Sequence, residues 1–132
     1  VMENCMTGEI IGYFSLANDR ISITDFKDKT EFNRFRRHRF VNEKRLRSYP
    51  AVKLCRLGIK QGIRGKNVGS FLLDFIKSYF LDDNKTGCRF ITVDAYINAV
   101  SFYERNDFQH LKSHDEDLST RLLFFDLSDI DN

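Results

Sequence analysis

The chain has few of the residues that build disulfide frameworks and metal centres. Its 132 residues include three cysteines, three histidines and one proline. Cys5, Cys55 and Cys88 are odd in number and show no C-x-x-C spacing, and each stands among apolar or β-type residues. They are expected to be buried free thiols in a reducing compartment. With no His/Cys cluster, a structural zinc site has no support and no metal is expected. The sequence also lacks any run of about 18 apolar residues. Its first residues include Glu3 and Asn4 rather than a charged stretch leading into an apolar one. A soluble, unsecreted, cytoplasmic chain with no membrane partner is the expectation. Two phosphate-binding patterns, G-x-x-x-x-G-K-[ST] and G-x-G-x-x-G, are absent as well.

Aromatic residues are plentiful: thirteen are Phe and 14% of the chain is aromatic, enough for one well-supplied core. The length suits a single domain over residues 1–132. Net charge is only +2, but residues 27–53 hold ten Lys or Arg against three Asp or Glu, so that segment carries +7 and the remainder −5. Arg34, Arg36, Arg37, Arg39, Lys44, Arg45 and Arg47 crowd into it. Clustered cations repel one another unless a polyanion such as nucleic acid neutralises them, and the plain alternative is a solvated helix face.

The stretch around which the chain is organised is Leu57-Gly58-Ile59-Lys60-Gln61-Gly62-Ile63-Arg64-Gly65-Lys66-Asn67-Val68-Gly69. An apolar β-type run over residues 52–59 gives way to a basic, glycine-rich loop, and a helix follows. Val68, Phe71, Leu72, Phe75, Ile76, Tyr79 and Phe80 recur with a 3.6-residue period, so they are expected to form one buried face. Glycines at a helix start leave N–H groups uncovered at its positive dipole end, where anions collect. Arg64 and Lys66 add full charges, so a ligand carrying a pyrophosphate would fit. A turn that needs glycine for shape and cations for solubility is the bland alternative.

In chain order, residues 1–6 and 9–16 read as strands about a Thr7-Gly8 hairpin turn, Asn18-Asp19 as a second turn, and residues 20–24 as a third strand. Thr30 is the expected N-cap of a helix over residues 31–40. Pro50 introduces the strand at 52–59. After the central helix come a strand over residues 88–95, a helix over 99–106 capped by Asn98, and strands over 108–111 and 120–127. A strand, crossover helix and strand imply parallel neighbours. Asp126, Asp129 and Asp131 are expected to make an acidic, frayed end.

Asp94-Ala95-Tyr96-Ile97-Asn98-Ala99-Val100-Ser101-Phe102-Tyr103-Glu104-Arg105-Asn106-Asp107-Phe108, taken with the loop above, resembles the GNAT superfamily of acetyl-CoA-dependent N-acetyltransferases. The family pattern Q/R-x-x-G-x-G/A falls on residues 64–69, with Asn67 in place of the central glycine. The pattern N-x-x-A-x-x-F-Y-E-K-x-G-F falls on the later stretch, with Asp107 where glycine is usual. Asn and Asp are the residues that best tolerate positive φ after glycine. The flanks Tyr49-Pro50-Ala51-Val52-Lys53-Leu54, Val93-Asp94-Ala95 and Phe102-Tyr103-Glu104 resemble the toxin branch that acetylates aminoacyl-tRNA.

The resemblance implies an α/β (α+β) fold with a mixed, splayed sheet flanked by helices. The family's N-terminal strand and helices are missing from it, so a trimmed chain, or a homodimer in which a second subunit supplies a substrate wall, is expected. Acetyl-CoA is the implied cofactor, held by Leu57, Gly58, Ile59, Arg64, Gly65, Lys66, Asn67, Val68, Gly69 and Asn98. Tyr103 is the implied general acid, and Asn98 serves either the pantetheine arm or the helix cap. Tyr103 could instead simply pack in the core.

The strand at 52–59 carries no carboxylate, a group many family members use as base, and offers Lys53 and Arg56 instead. That favours an amine already partly neutral, since peptide α-amino groups have pKa about 7.7 to 8.0 against about 10.4 for Lys. The implied acceptor is the amino group of aminoacyl-tRNA, held by the seven cations of the basic segment, with an antitoxin as partner. Protein N-termini and small amines are alternatives within the class. A catalytically inactive nucleic-acid-binding module is the alternative outside it.

Overall fold

Six strands and three helices account for the residues that the computed structural model describes: 2–3, 5–22, 26, 28–39, 48–60, 67–81, 88–111 and 119–128. The strands are β1 (Met2–Glu3), β2 (Ile10–Ser22), β3 (Ser48–Ile59), β4 (Phe90–Tyr96), β5 (Gln109–His110) and β6 (Thr120–Asp126). The helices are α1 (Lys29–Arg39), α2 (Val68–Leu81) and α3 (Val100–Arg105), the last preceded by a 3-10 turn at Ile97–Ala99. The strands form one sheet in the order β1-β2-β3-β4-β6-β5. Among the described residues only β3 and β4 run parallel, joined by the crossover helix α2 as the sequence pattern implies. This is the mixed GNAT-like α+β sheet expected from the two motifs.

Alternation along each strand divides the apolar residues between two faces. Val52, Leu54, Ile91, Val93, Leu123 and Phe125 point to the face covered by α2 and α3, where Leu73, Ile76, Phe80, Tyr103 and Phe108 meet them. Ile21, Tyr49, Ala51, Phe90 and Phe124 point to the other, where Phe32 and Phe35 of α1 and Phe26 before it complete a largely aromatic cluster. The rings of Phe35 and Phe124 meet edge to face at 5.3 Å, a geometry that the aromatic quadrupole favours.

Several local expectations give way to tertiary packing. The Asn18-Asp19 turn does not form: β2 runs unbroken, with Asn18 opposite Val52 and Asp19 opposite Ala51. A long neighbouring strand outweighs the turn preference of two residues. The expected strand at residues 1–6 contracts to Met2–Glu3, although the Thr7-Gly8 turn holds, with Gly8 at φ 71°. Pro50 lies inside β3, not before it, because that strand begins at Ser48. The N-cap of α1 is Asp28, not Thr30: the Glu31 N–H donates to the Asp28 carboxylate at 2.9 Å.

In α2 the sheet-facing residues are Leu72, Leu73, Ile76, Lys77 and Phe80, whereas Phe71, Phe75 and Tyr79 are exposed by 59%, 51% and 44%. The buried stripe is turned by one residue from the expected face because Leu73 and Lys77 take the sheet side. Cys88 is buried, but Cys5 and Cys55 are exposed free thiols, Cys5 in a turn and Cys55 at an irregularity of β3.

Of the three aspartates expected to make a frayed end, Asp126 does not belong to one, and Asp129 and Asp131 lie outside the described residues. Asp126 is 2% exposed and sits where β6, β4 and α1 converge. Arg89 donates to both its oxygens, at 3.0 and 3.2 Å, and Arg39 approaches at 3.3 Å. The Ser128 hydroxyl and N–H donate at 2.7 and 3.0 Å. Burial alone would raise its pKa, but hydrogen bonds from Arg89 and Ser128, with the Arg89 charge, hold it below the usual carboxylate range. A depressed carboxyl contributes stability above its unfolded pKa, about 3.9, that is lost as pH falls through the lower folded value. Asp126→Ala leaves two partly buried guanidinium groups without their carboxylate and is expected to cost about 3 kcal/mol at neutral pH. Urea midpoints at pH 7 and pH 3 should fall further for the wild type than for this variant.

Candidate active site

The site begins with an interruption in the sheet. β3 and β4 pair over four positions only, from Ala51 opposite Phe90 to Leu54 opposite Val93. Just beyond, Ser15 of β2 faces Arg56 and Leu16 faces Leu54, so Cys55 is an extra residue in β3. Such a bulge bends its strand and increases its twist. β3 turns away from β4, and the two form a fork whose inner edges carry no ladder between them.

A cavity of about 500 Å³ occupies the fork. Leu57, Gly58 and Ile59 of β3 form one wall, Asn67, Val68, Gly69 and Ser70 at the start of α2 form the base, and Asn98, Ala99, Phe102, Tyr103 and Arg105 close the other side. The structure thus brings together Leu57, Gly58, Ile59, Asn67, Val68, Gly69, Asn98 and Tyr103 from the predicted set. Arg64, Gly65 and Lys66 lie outside the described residues. Ser70, Phe102 and Arg105 were not singled out by sequence reasoning, although Phe102 and Arg105 stand within the second motif.

Both departures from glycine adopt the conformation that glycine would take. Asn67 has φ 61° and Asp107 has φ 71°. The Asn67 carbonyl accepts the Phe71 N–H at 3.0 Å, opening α2 with its N-terminus on the cavity. Gly69 serves close approach: a Cβ there would lie 2.9 Å from the Phe102 ring. Its absence lets the start of α2 pack against α3.

Tyr103 both packs and lines the cavity. It is buried, with its ring 5.1 Å from Phe102 and 5.4 Å from Phe108. Burial pushes its phenol pKa up, so the hydroxyl keeps its proton at neutral pH. Its helix is fastened at the C-terminal end. The Asp107 N–H donates to the Glu104 carbonyl and the Phe108 N–H to the Tyr103 carbonyl, both at 3.1 Å. Lys77, buried beneath, donates to the Asn106 carbonyl at 2.6 Å and lies 4.0 Å from the centre of the Phe125 ring. Desolvation lowers the Lys77 pKa. Asn98 is exposed on the cavity rim and is not the expected helix cap, since neither Tyr96 before the 3-10 turn nor Ala99 before α3 makes a side-chain cap bond.

The basic segment divides. Arg34 and Arg37 are exposed on α1. Arg36 stacks 4.4 Å over Phe32 and donates to Asn33, while Arg39 lies 4.6 Å over Phe35 and pairs with Asp126. These two guanidinium groups are engaged within the fold. Lys44, Arg45 and Arg47 lie outside the described residues. On β3, Lys53 is paired with Asp94 of β4 at 2.5 Å. The charge that Asp94 brings beside Lys53 is not written in the β3 sequence, since only the register of β3 on β4 brings the two together.

A family model for the acetyltransferase (GNAT) domain matches residues 37–123. The chain therefore belongs to the GNAT acetyltransferase family, the class its two motifs imply. No curated protein matches it. Among solved structures, a bacterial toxin superposes with TM-score 0.73 at 18% identity over 97% of this chain. AtaT complexed with acetyl-methionyl-tRNAfMet gives 0.71 at 19% identity over 97% of this chain and 69% of its own. A mutant AtaT toxin bound to acetyl-CoA and the C-terminus of the antitoxin AtaR gives 0.64 at 20% identity over 96% of this chain and 66% of its own. The chain spans 66% of the length of the first of these toxins.

Asp107 tests how the fastening of α3 depends on a left-handed residue. Asp107→Gly is expected to hold or raise stability by up to about 1 kcal/mol, and Asp107→Val to lower it by about 1–2 kcal/mol. Thermal unfolding of the two variants checks the ordering.

Proposed function

We propose that this chain transfers an acetyl group from acetyl-CoA to a primary amine, and that the amine is the amino group of an aminoacyl-tRNA. The observation that carries the first step is the fork. Backbone groups of Leu57, Gly58 and Ile59 face a cavity without a strand partner across it, which suits an extended arm that replaces the missing ladder. The N-terminus of α2, shaped by Asn67, adds a positive dipole end at the base. Arg64, Gly65 and Lys66 belong with that end by motif. Acetyl-CoA, when bound, supplies an acetyl thioester. Tyr103 donates a proton to the departing sulfur, a role that suits a buried phenol retaining its proton at neutral pH.

The acceptor reading rests on the likeness to AtaT, which binds acetyl-methionyl-tRNAfMet, together with the excess of cations in residues 27–53. On α1, Lys29, Arg34 and Arg37 have side chains exposed to meet phosphates. The same likeness favours an antitoxin partner, since AtaT binds the C-terminus of AtaR. A tRNA substrate implies a cytoplasmic protein, and no helix among the described residues is long and apolar enough to cross a membrane. A protein N-terminus is the runner-up, for it shares a low amine pKa and needs no phosphate contacts.

Calorimetry with acetyl-CoA should show binding to the wild type and its loss in Gly65→Asp. Tyr103→Phe should bind acetyl-CoA normally and lose about 10² in turnover. Unchanged turnover would leave Tyr103 a packing residue.

Radiolabelled acetyl-CoA incubated with charged and with deacylated tRNA checks the acceptor, and label is expected on the charged form only. Binding should weaken steeply with salt. Replacing Arg34 and Arg37 by Ala should flatten the log–log slope by about 1–2.

A further inference from the structure

On the face of the sheet away from α2 and α3, where the aromatic cluster beneath α1 ends, four polar side chains meet. Asp19 comes from β2, Lys53 from β3, and Thr92 and Asp94 from β4. The Thr92 hydroxyl, on a residue 1% exposed, donates to Asp19 at 2.5 Å. Lys53 binds Asp94 at 2.5 Å, with side chains 36% and 45% exposed. A cavity of about 170 Å³ lies among them, lined also by Arg20, Leu111 and Leu122.

The location matters more than the pair. Asp94 is the first residue of β4 beyond the last rung of the β3–β4 ladder, Leu54 opposite Val93. With Cys55 as the extra residue, Asp94 stands level with Arg56, and one strand rise, about 3 Å, separates its level from that of Leu57 on the other arm of the fork. Alternation puts Asp94 on the face of Phe90 and Thr92, whereas Tyr103 belongs to the cluster on the opposite face. Asp94 lines the smaller cavity and Tyr103 the fork cavity, so a carboxylate and a protonated phenol stand on opposite faces of the sheet where β3 and β4 part. Acyl transfer needs that arrangement: the amine enters from one side of the carbonyl while the leaving group is protonated from another. A surface ion pair would contribute little by itself, about 0–1 kcal/mol, so stability gives no reason for this position.

We propose that Asp94 receives the acceptor's ammonium group at the throat of the fork and takes its proton, with Lys53 occupying the carboxylate until the acceptor arrives. This rests on the acetyl-transfer reading above. In the step, the acceptor's ammonium gives one proton to the Asp94 carboxylate, the neutral nitrogen forms a bond to the acetyl carbon, and the second proton it loses as the amide forms passes through solvent to restore the Tyr103 phenol. The carbon–sulfur bond breaks, and Tyr103 protonates the sulfur. The charged groups around Asp94 are Lys53 of β3, which binds it directly, and Asp19 and Arg20 of β2, which line the same cavity. From β6 the residue opposite is Leu122, which is uncharged.

The test compares wild type, Asp94→Asn and Lys53→Met, using charged tRNA, a peptide with a free N-terminus and a small diamine as acceptors. Each variant is first checked for wild-type unfolding temperature and acetyl-CoA affinity, and Asp94→Glu serves as a conservative control. With the acceptor that the wild type uses best, Asp94→Asn should lose about 10² in kcat/KM at pH 7 and regain much of it as pH rises towards the amine's own pKa. It should also bind that acceptor about tenfold more weakly in the presence of CoA. Lys53→Met, which keeps the carboxylate and removes its competitor, should lower KM for the acceptor and keep the pH dependence that Asp94→Asn alters, and Asp94→Glu should recover part of the loss. Equal losses in Asp94→Asn and Lys53→Met, or an unchanged pH profile in Asp94→Asn, would overturn the proposal by reducing the pair to a structural bridge. Label on the peptide or diamine but not on tRNA would overturn the acceptor reading and leave Asp94 tested on the amine that reacts. Label on none of the three would overturn both.

Discussion

The site depends on one extra residue in one strand. Without Cys55 as a bulge, β3 would continue its ladder with β4 past Leu54, and the backbone of Leu57, Gly58 and Ile59 would be spent on a neighbouring strand. With it, the sheet parts and leaves a slot walled by main chain. Hydrogen-bonding groups there need partners, and an extended ligand can serve as the missing strand. What surrounds the slot holds it open. α2 and α3 wedge against each other through Gly69 and Phe102, and Lys77 ties α2 to the Asn106 carbonyl at the end of α3. The far end of the sheet is fastened by Asp126 and its two arginines, so β4 and β6 stay in register while β3 departs.

The parts of this arrangement that were legible in the sequence are those written in local conformation. Asn67 and Asp107 replace glycines of the two motifs, and their positive φ values follow from the tolerance of Asn and Asp for that region. The crossover helix and the parallel pair around it were legible for the same reason, since a long 3.6-residue period between two β-type runs admits few topologies. What was not legible depends on the third dimension. Phe71, Phe75 and Tyr79 match the period of α2 as well as Leu73 and Lys77 do, and only the seating of the helix on the sheet decides which side is covered. Asn18-Asp19 has the composition of a turn. A twelve-residue partner strand overrides it.

Charge was the least legible quantity of all. A count over residues 27–53 treats its cations as equivalent, whereas the fold sorts them by what lies beside them. Arg39 lies against Phe35 and Phe124 and reaches a carboxylate nearly ninety positions along the chain; Arg36 lies on Phe32. Planar guanidinium groups stack on aromatic rings readily, so a basic helix set over a phenylalanine-rich cluster turns part of its charge inward. Arg34 and Arg37, on the outer side of the same helix, keep theirs in water. The electrostatic field offered to a polyanion is therefore smaller than composition suggests, and it is directional.

The same sorting changes the meaning of the missing carboxylate on β3. Read along the strand, Lys53 is a cation where a base would be useful, and its absence of acidity favours an amine needing little help to lose a proton. Read across the sheet, Lys53 is one half of a pair whose other half stands on β4 at the fork. The hydrogen bond to Asp94 is the largest cause raising the Lys53 pKa, and partial burial opposes it. Lys53 is thus held as a cation against a carboxylate, the charge state in which an ammonium acceptor would also meet Asp94. A parallel pair that ends after four rungs presents residues from two strands at a single throat. The chemistry available there is set by the pairing register, not by the composition of either strand alone.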